Sequence, residues 1–183
     1  MTQDEADARY PQVSEGEAIE IYSKSEINAL LFAFSKTVLF SNTKLTHTGN
    51  TNETQVFSGT IPANSISANG YFEILVLTSS TVNTTNLKTL TLKINGTSTA
   101  TAAVAASTRS GLFRFYLFND GSLTSQISMP LNSGASYGFG VTSSPPLITN
   151  FNTAENLTLT GHLTLALGTE DYSIENIQVI AHP

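Results

Sequence analysis

The chain has no cysteine among its 183 residues. Disulfides, thiol nucleophiles and thiolate metal sites are therefore excluded from its chemistry. Charge is scarce as well, with eight bases and fourteen acids leaving a net −6. Residues 1–26 hold seven acids and two bases, and everything after them holds seven acids against six bases. The larger part thus has no basic footprint for nucleic acid and no field to steer a charged partner. No apolar run approaches the ~20 residues of a membrane span, so membrane insertion is not expected. The opening "MTQDEADARY" is acidic and lacks an apolar segment, so no secretory signal is expected either. Without one, the Asn-x-Thr triplets at Asn52, Asn83, Asn95 and Asn156 read as chance in a Thr- and Asn-rich chain.

What is present changes period along the chain. Thr2 stands three residues before Glu5, a capping-box spacing, and Pro11 ends any helix there after about two turns. Two turns alone are not stable in water, so this segment needs something to dock onto, or stays disordered until it meets a partner. A second capping box, Ser23 to Glu26, opens "YSKSEINALLFAFSKTV". Behind it Ile27, Leu30, Leu31, Phe34 and Val38 recur at helical spacing. That apolar stripe must be buried, either on the chain's own β-domain or in a seam between copies.

From about residue 41 the period becomes 2. "TLTLKI" (89–94) and "LTLTGHLTLAL" (157–167) alternate leucine and isoleucine with threonine, the mark of strands with one buried face. Gly161, in phase with the buried leucines, implies a bend, a bulge or close packing. "YFEILVL" (71–77) and "LFRFYLF" (112–118) are apolar on both faces. An antiparallel sheet normally turns one face to water, so these two strands imply a cover, a helix or a neighbouring subunit. Asn69-Gly70, Asn95-Gly96 and Asp120-Gly121 supply turns. The tract "GTSTATAAVAASTRSG" (96–111) reads as a Thr/Ala strand or a loose loop. The last strand is expected over 174–182. About eight strands with no helix between them predict a mainly β domain, an antiparallel β-sandwich of jelly-roll type.

Chemistry is sparse. His47, His162 and His182 have no metal-ligand spacing, and no metal or cofactor is expected. Glycoside hydrolysis needs two facing carboxylates. Asp120 is explained by its turn and Glu170-Asp171 by a hairpin tip. Glu73 sits in one doubly apolar strand and Arg114 interrupts the other, so the two are expected to pair on the sheet or at a subunit contact. There is no Gly-x-Ser-x-Gly, no phosphate loop and no dinucleotide fingerprint. The chain is therefore read as a non-enzyme. The candidate binding surface is the loops around 119–123 and 132–150. Asn119 and Asp120 would offer hydrogen bonds there, and Tyr137 and Phe139 stacking faces.

"TQDEADARY" resembles the Thr-x-x-Glu-Ala-Asp-Ala-Arg-Tyr segment of bacteriophage tail-fibre proteins. "YSKSEINALL" is similar to the stalk segments of the same fibres, and "IPANS" before an Asn-Gly turn resembles their β-domains and those of head fibres. The resemblance implies a homotrimeric virion fibre made in the host cytoplasm. Residues 1–22 would attach to other virion proteins of the tail or capsid through Thr2, Glu5, Asp7, Arg9 and Tyr10. Residues 23–40 would form a short stalk helix, and 41–183 would display a β-domain to a host-surface glycan or protein. Ile27, Leu30, Leu31 and Phe34 would line the subunit interface, with Arg114 at the contact of the doubly apolar strands. With almost no shaft, the chain fits a short tail fibre or a capsid head-decoration fibre. A glycan-degrading spike is the remaining alternative.

Overall fold

The alternating segments are strands in the computed structural model, which describes residues 34–81, 86–104, 109–128 and 147–183. One antiparallel sheet holds β1 (Lys36–Ser41), β2 (Leu45–Thr48), β4 (Tyr71–Ser79), β7 (Ser110–Asn119), β8 (Gln126–Ser128), β9 (Leu147–Thr149) and β11 (Asp171–His182). A second holds β3 (Thr54–Ile61), β5 (Lys88–Ile94), β6 (Thr97–Val104) and β10 (Leu157–Leu165). The "TSTATAAV" tract is thus a strand, paired along β5. No helix occurs among the described residues.

The connectivity follows one rule. β1 pairs with β11, β3 with β10, β4 with β7 and β5 with β6, so the chain runs as one long hairpin whose successive pairs alternate between the sheets. That is the jelly-roll arrangement. The turns that permit it carry the residues the backbone requires. Asn95 and Gly96, joining β5 to β6, both have positive φ, 48° and 79°. Two consecutive left-handed residues match the right-handed twist of the strands they join.

The two sheets bury their facing side chains against each other. Leu90, Leu92, Ile94, Leu159 and Leu163 come from the small sheet, and Phe72, Ile74, Val76, Phe115, Leu117, Ile177 and Val179 from the large one. Each such side chain contributes about 1.5–3 kcal/mol by leaving water. Gly161 sits where β10 slips register against β3, and a methyl group there would lie 2.8 Å from Ile174 Cδ1. Its expected role at a bulge and close approach is borne out.

Two expectations need correction. The stalk helix expected over 23–40 does not reach its predicted end, because Lys36–Ser41 is strand β1 and Phe34 stands at an exposed bend. "KTVLFS" gains a ladder of hydrogen bonds along β11 and places Val38 and Leu39 against the core, which outweighs the helical spacing of Phe34 and Val38. Glu170 with Asp171 does not form a hairpin tip, because β10 and β11 lie in different sheets. Glu170 is buried, 3.8 Å from the buried Lys88 ammonium, and its second oxygen accepts the Leu167 N–H. Residues 1–33, with Thr2, Glu5, Asp7, Arg9, Tyr10, Ile27, Leu30 and Leu31, lie outside the described residues, as do Tyr137 and Phe139.

Candidate functional site

The two doubly apolar strands are neighbours. β4 pairs with β7 along its whole length, in a register that sets Tyr71 against Phe118, Glu73 against Tyr116, Leu75 against Arg114 and Leu77 against Leu112. These eight side chains share the face of the large sheet that points away from the core, since Phe72, Ile74, Val76, Phe115 and Leu117 occupy the inward phase. β11 extends the row with His182 beside Tyr71 and Ile180 beside Glu73. β8 and β9 extend it the other way, with Ile127 beside Phe118 and Ile148 beside Ile127. One apolar surface therefore crosses five strands. Leu112 is 52% exposed, Phe118 42% and Ile148 71%.

The outer face of the opposite sheet is polar instead, although its central residues Thr91 and Thr160 are buried. Its outward residues are Thr89, Thr91 and Lys93 on β5 and Thr158, Thr160, His162 and Thr164 on β10, in register with one another. Lys93 pairs with Glu53, which lies 3.3 Å from His162 Nδ1, and His162 Nε2 meets the Thr160 hydroxyl at 3.0 Å. Burial and the Lys93 ammonium push the His162 pKa below its usual value, with Glu53 opposing them. Among the described residues no three His, Asp or Glu side chains converge as a metal site.

The apolar face has a definite ring geometry. Tyr71 and His182 are parallel to within 5°, with centroids 4.2 Å apart. Rings that close cannot lie side by side in one plane, so they overlap face to face across the strands. Phe118 stands on the other side of Tyr71 at 5.0 Å, and Tyr116 completes the group at 5.8 Å from Phe118. Tyr71 and His182 thus spend one ring face on each other, while Phe118 keeps 42% of its surface exposed.

Its charges are paired internally. Arg114 Nε lies 2.9 Å from Glu73 Oε1 in an ion pair, the pairing expected from the sequence. His182 Nε2 lies 3.4 Å from Glu73 Oε2, a charge contact without hydrogen-bond alignment, while its Nδ1 meets the Ser35 hydroxyl at 2.6 Å. The Arg114 side chain remains 57% exposed.

Of the residues expected to bind ligand, Asp120 is exposed in its turn, but Asn119 is not available. Asn119 is buried, its Nδ2 donating to Ser67 O and Thr153 Oγ1 and its Oδ1 accepting from Gln126 Nε2. It ties three loops together at one end of the sandwich. The phase of β7 already implied this, since Leu117 points inward and Asn119 shares its phase.

A groove opens beside that end, with a volume of about 490 Å³. Asn95 and Thr97 of the β5–β6 hairpin form one wall, and Ile148, Thr149, Asn150 and Asn152 the other. Sequence reading had placed residues 147–150 in a binding loop but had no means of bringing Asn95 to them.

No protein-family model matches the chain, and no curated protein matches it in sequence. Three solved structures share part of its architecture. The CBM36-1 domain of a multidomain xylanase from the hindgut metagenome of Trinervitermes trinervoides is 14% identical, over 80% of this chain and 96% of that one, with a TM-score of 0.41. A structure of the Gt strain of infectious bursal disease virus is 12% identical over 81% of this chain and 32% of its own, at 0.37. The carbohydrate-binding module CBM36 in complex with calcium and xylotriose is 15% identical over 75% and 98%, at 0.34. At these scores the likenesses carry no weight for function.

Proposed function

We propose that this chain is a structural subunit of a bacteriophage virion: a short homotrimeric fibre that attaches to the particle through its N-terminal segment and offers its β-domain to the host surface. The observation that carries the reading is the uncovered face of β4 and β7. An apolar surface crossing five strands, with its carboxylate and guanidinium already paired, suits burial against other copies of the chain. Closing that interface would desolvate the half-exposed Arg114, a cost that its pairing with Glu73 offsets in part. The threefold count comes from the fibre-like segments at residues 2–10 and 22–31. Three linked copies would also strengthen weak contacts to a repetitive host surface through effective concentration. The fibre binds and does not turn its ligand over.

Light scattering on the intact protein tests the assembly. Three times the 19.5 kDa chain mass is expected. Leu112→Asp with Phe118→Asp should yield a folded monomer, because both side chains already face outward. A monomeric unmutated chain overturns the trimer. Electron microscopy of the intact particle, with the chain labelled, then distinguishes a tail fibre from a head fibre, and absence from the particle overturns both.

A further inference from the structure

We infer that the groove between the β5–β6 turn and β9 is a binding site for a neutral carbohydrate. The inference rests on the host-attachment reading above and deepens it by naming the site and the ligand class.

The lining of the groove holds no ionisable side chain. In a surface this poor in charge that does not discriminate by itself, but it does exclude a site built for phosphate, sulfate or uronate, which would call for Arg or Lys. What the lining offers is three amides and two hydroxyls around an apolar floor. Asn95, Asn150 and Asn152 each carry a donor and an acceptor within one side chain, which matches the paired hydroxyls of a sugar ring. Ile148, largely exposed, and Leu147 supply the apolar contact that the C–H face of a sugar needs. Phe151 also lines the groove and is itself buried.

The side chains are held in place by bonds that leave part of their capacity open. Asn95 Oδ1 accepts the Thr158 N–H at 2.9 Å, which fixes the amide at the mouth of the groove. Asn152 Oδ1 accepts the Ala154 N–H, and its Nδ2 donates to Glu155. Gln126 Oε1 accepts the Phe151 N–H at 2.7 Å. One group is conspicuous. Thr149 lines the groove, is almost wholly buried, and its hydroxyl has no hydrogen-bond partner. A buried hydroxyl left unpaired is costly, and because its oxygen is closed to solvent here, a side-chain rotation or a water admitted beside a bound ligand would be needed to satisfy it. The volume of about 490 Å³ lies within the range of small-ligand sites.

The test uses the full chain and a panel of neutral oligosaccharides (glucose-, mannose- and galactose-based), with a sulfated oligosaccharide and an extended peptide as controls. Binding is read by ligand-observed NMR and calorimetry, and assembly by light scattering on the same samples. At least one neutral oligosaccharide should bind. Asn150→Ala, Ile148→Ser and Thr149→Val should each weaken it about tenfold, the scale of one lost polar or apolar contact. Asn150 is exposed, so Asn150→Ala should keep the parent's circular dichroism and mass, whereas Ile148 also belongs to the apolar face assigned to assembly, so its variant is compared with the parent at matched mass. Binding of the sulfated sugar or the peptide alone overturns the inference, and so does binding of nothing. Sugar binding that Asn150→Ala and Ile148→Ser both leave unchanged overturns it too. A trimer without groove binding sinks the groove and spares the fibre reading, whereas a monomer that binds sugar through the groove does the reverse.

Discussion

Replacing Gly161 with alanine probes the tightest place in the sandwich. The backbone at 161 is not among the positive-φ glycines, so alanine can adopt its conformation, and only space resists. The new methyl would lie 2.8 Å from Ile174 Cδ1 and 3.3 Å from Phe57 Cβ. The first contact is with the movable end of a side chain, the second with an atom next to the backbone of β3. Overpacking of this kind costs about 1–3 kcal/mol. Restricting the unfolded chain returns about 0.4–1 kcal/mol. The net expectation is a loss of about 1–2 kcal/mol, or about 3–6 °C in Tm for a domain of this size. Ile174→Val removes the clashing Cδ1 and alone should cost about 0.5–1.5 kcal/mol. In the double variant the alanine methyl occupies the space that Cδ1 vacates, so the combined loss should fall short of the sum by about 1 kcal/mol. Urea unfolding of the four proteins at one concentration measures this, with an unchanged slope as the control. A neutral Gly161→Ala, or strictly additive losses, would refute the packing described for β10 and β11.

Three further expectations follow from buried polar groups. Because the folded protein holds the His162 pKa below its usual 6.5, the unfolded chain takes up a proton first as pH falls. Stability should therefore decline as pH drops through about 6.5 and level off below the folded pKa, and His162→Gln should flatten that slope in urea midpoints. Tyr172 donates to Thr78 Oγ1 at 3.0 Å, and burial raises its pKa above the usual 10. Stability is then full below pH 10 and falls above it as the unfolded chain ionises, so Tyr172→Phe should lose about 1 kcal/mol at neutral pH and show a shallower alkaline decline. Gln126→Leu removes the acceptor of the Phe151 N–H and the donor to Asn119 Oδ1. It should cost about 1–3 kcal/mol for each group left unpaired, with faster amide exchange at Phe151 as the local signature.

The strands were legible where one face alone is buried. Leu90, Leu92 and Ile94, alternating with Thr89, Thr91 and Lys93, state their phase directly, and Asn95-Gly96 announces the turn that follows. Gly161 was legible because a glycine in phase with buried leucines has few other reasons to be there. β1 was misread because Phe34 and Val38 are four apart, and local spacing cannot see the open edge of β11 that recruits this segment. The apolar outer faces of residues 71–77 and 112–118 were visible, yet their merging into one surface was not. That depends on a pairing between residues about forty positions apart, which no local period encodes. The same limit hid the groove, whose walls come from residues 95–97 and 147–152.

The position of β11 bears on how the protein is made. It is the last of the described strands in chain order, yet it lies inside its sheet, with β1 and β2 on one side and β4 on the other. Order of synthesis and order in space are opposed. A nascent chain that stops short of residue 171 has nothing to hold β1 against β4, and the edge of β4 stands open. Pairing Lys36 with Ala181 closes a loop of well over a hundred residues, an entropic cost that no local structure offsets in advance, so the domain should fold slowly and as a unit once β11 has been made. Incomplete copies would then present no finished surface to their neighbours. The fold itself would act as a completeness check, keeping fragments out of any assembly built on the face of β4 and β7.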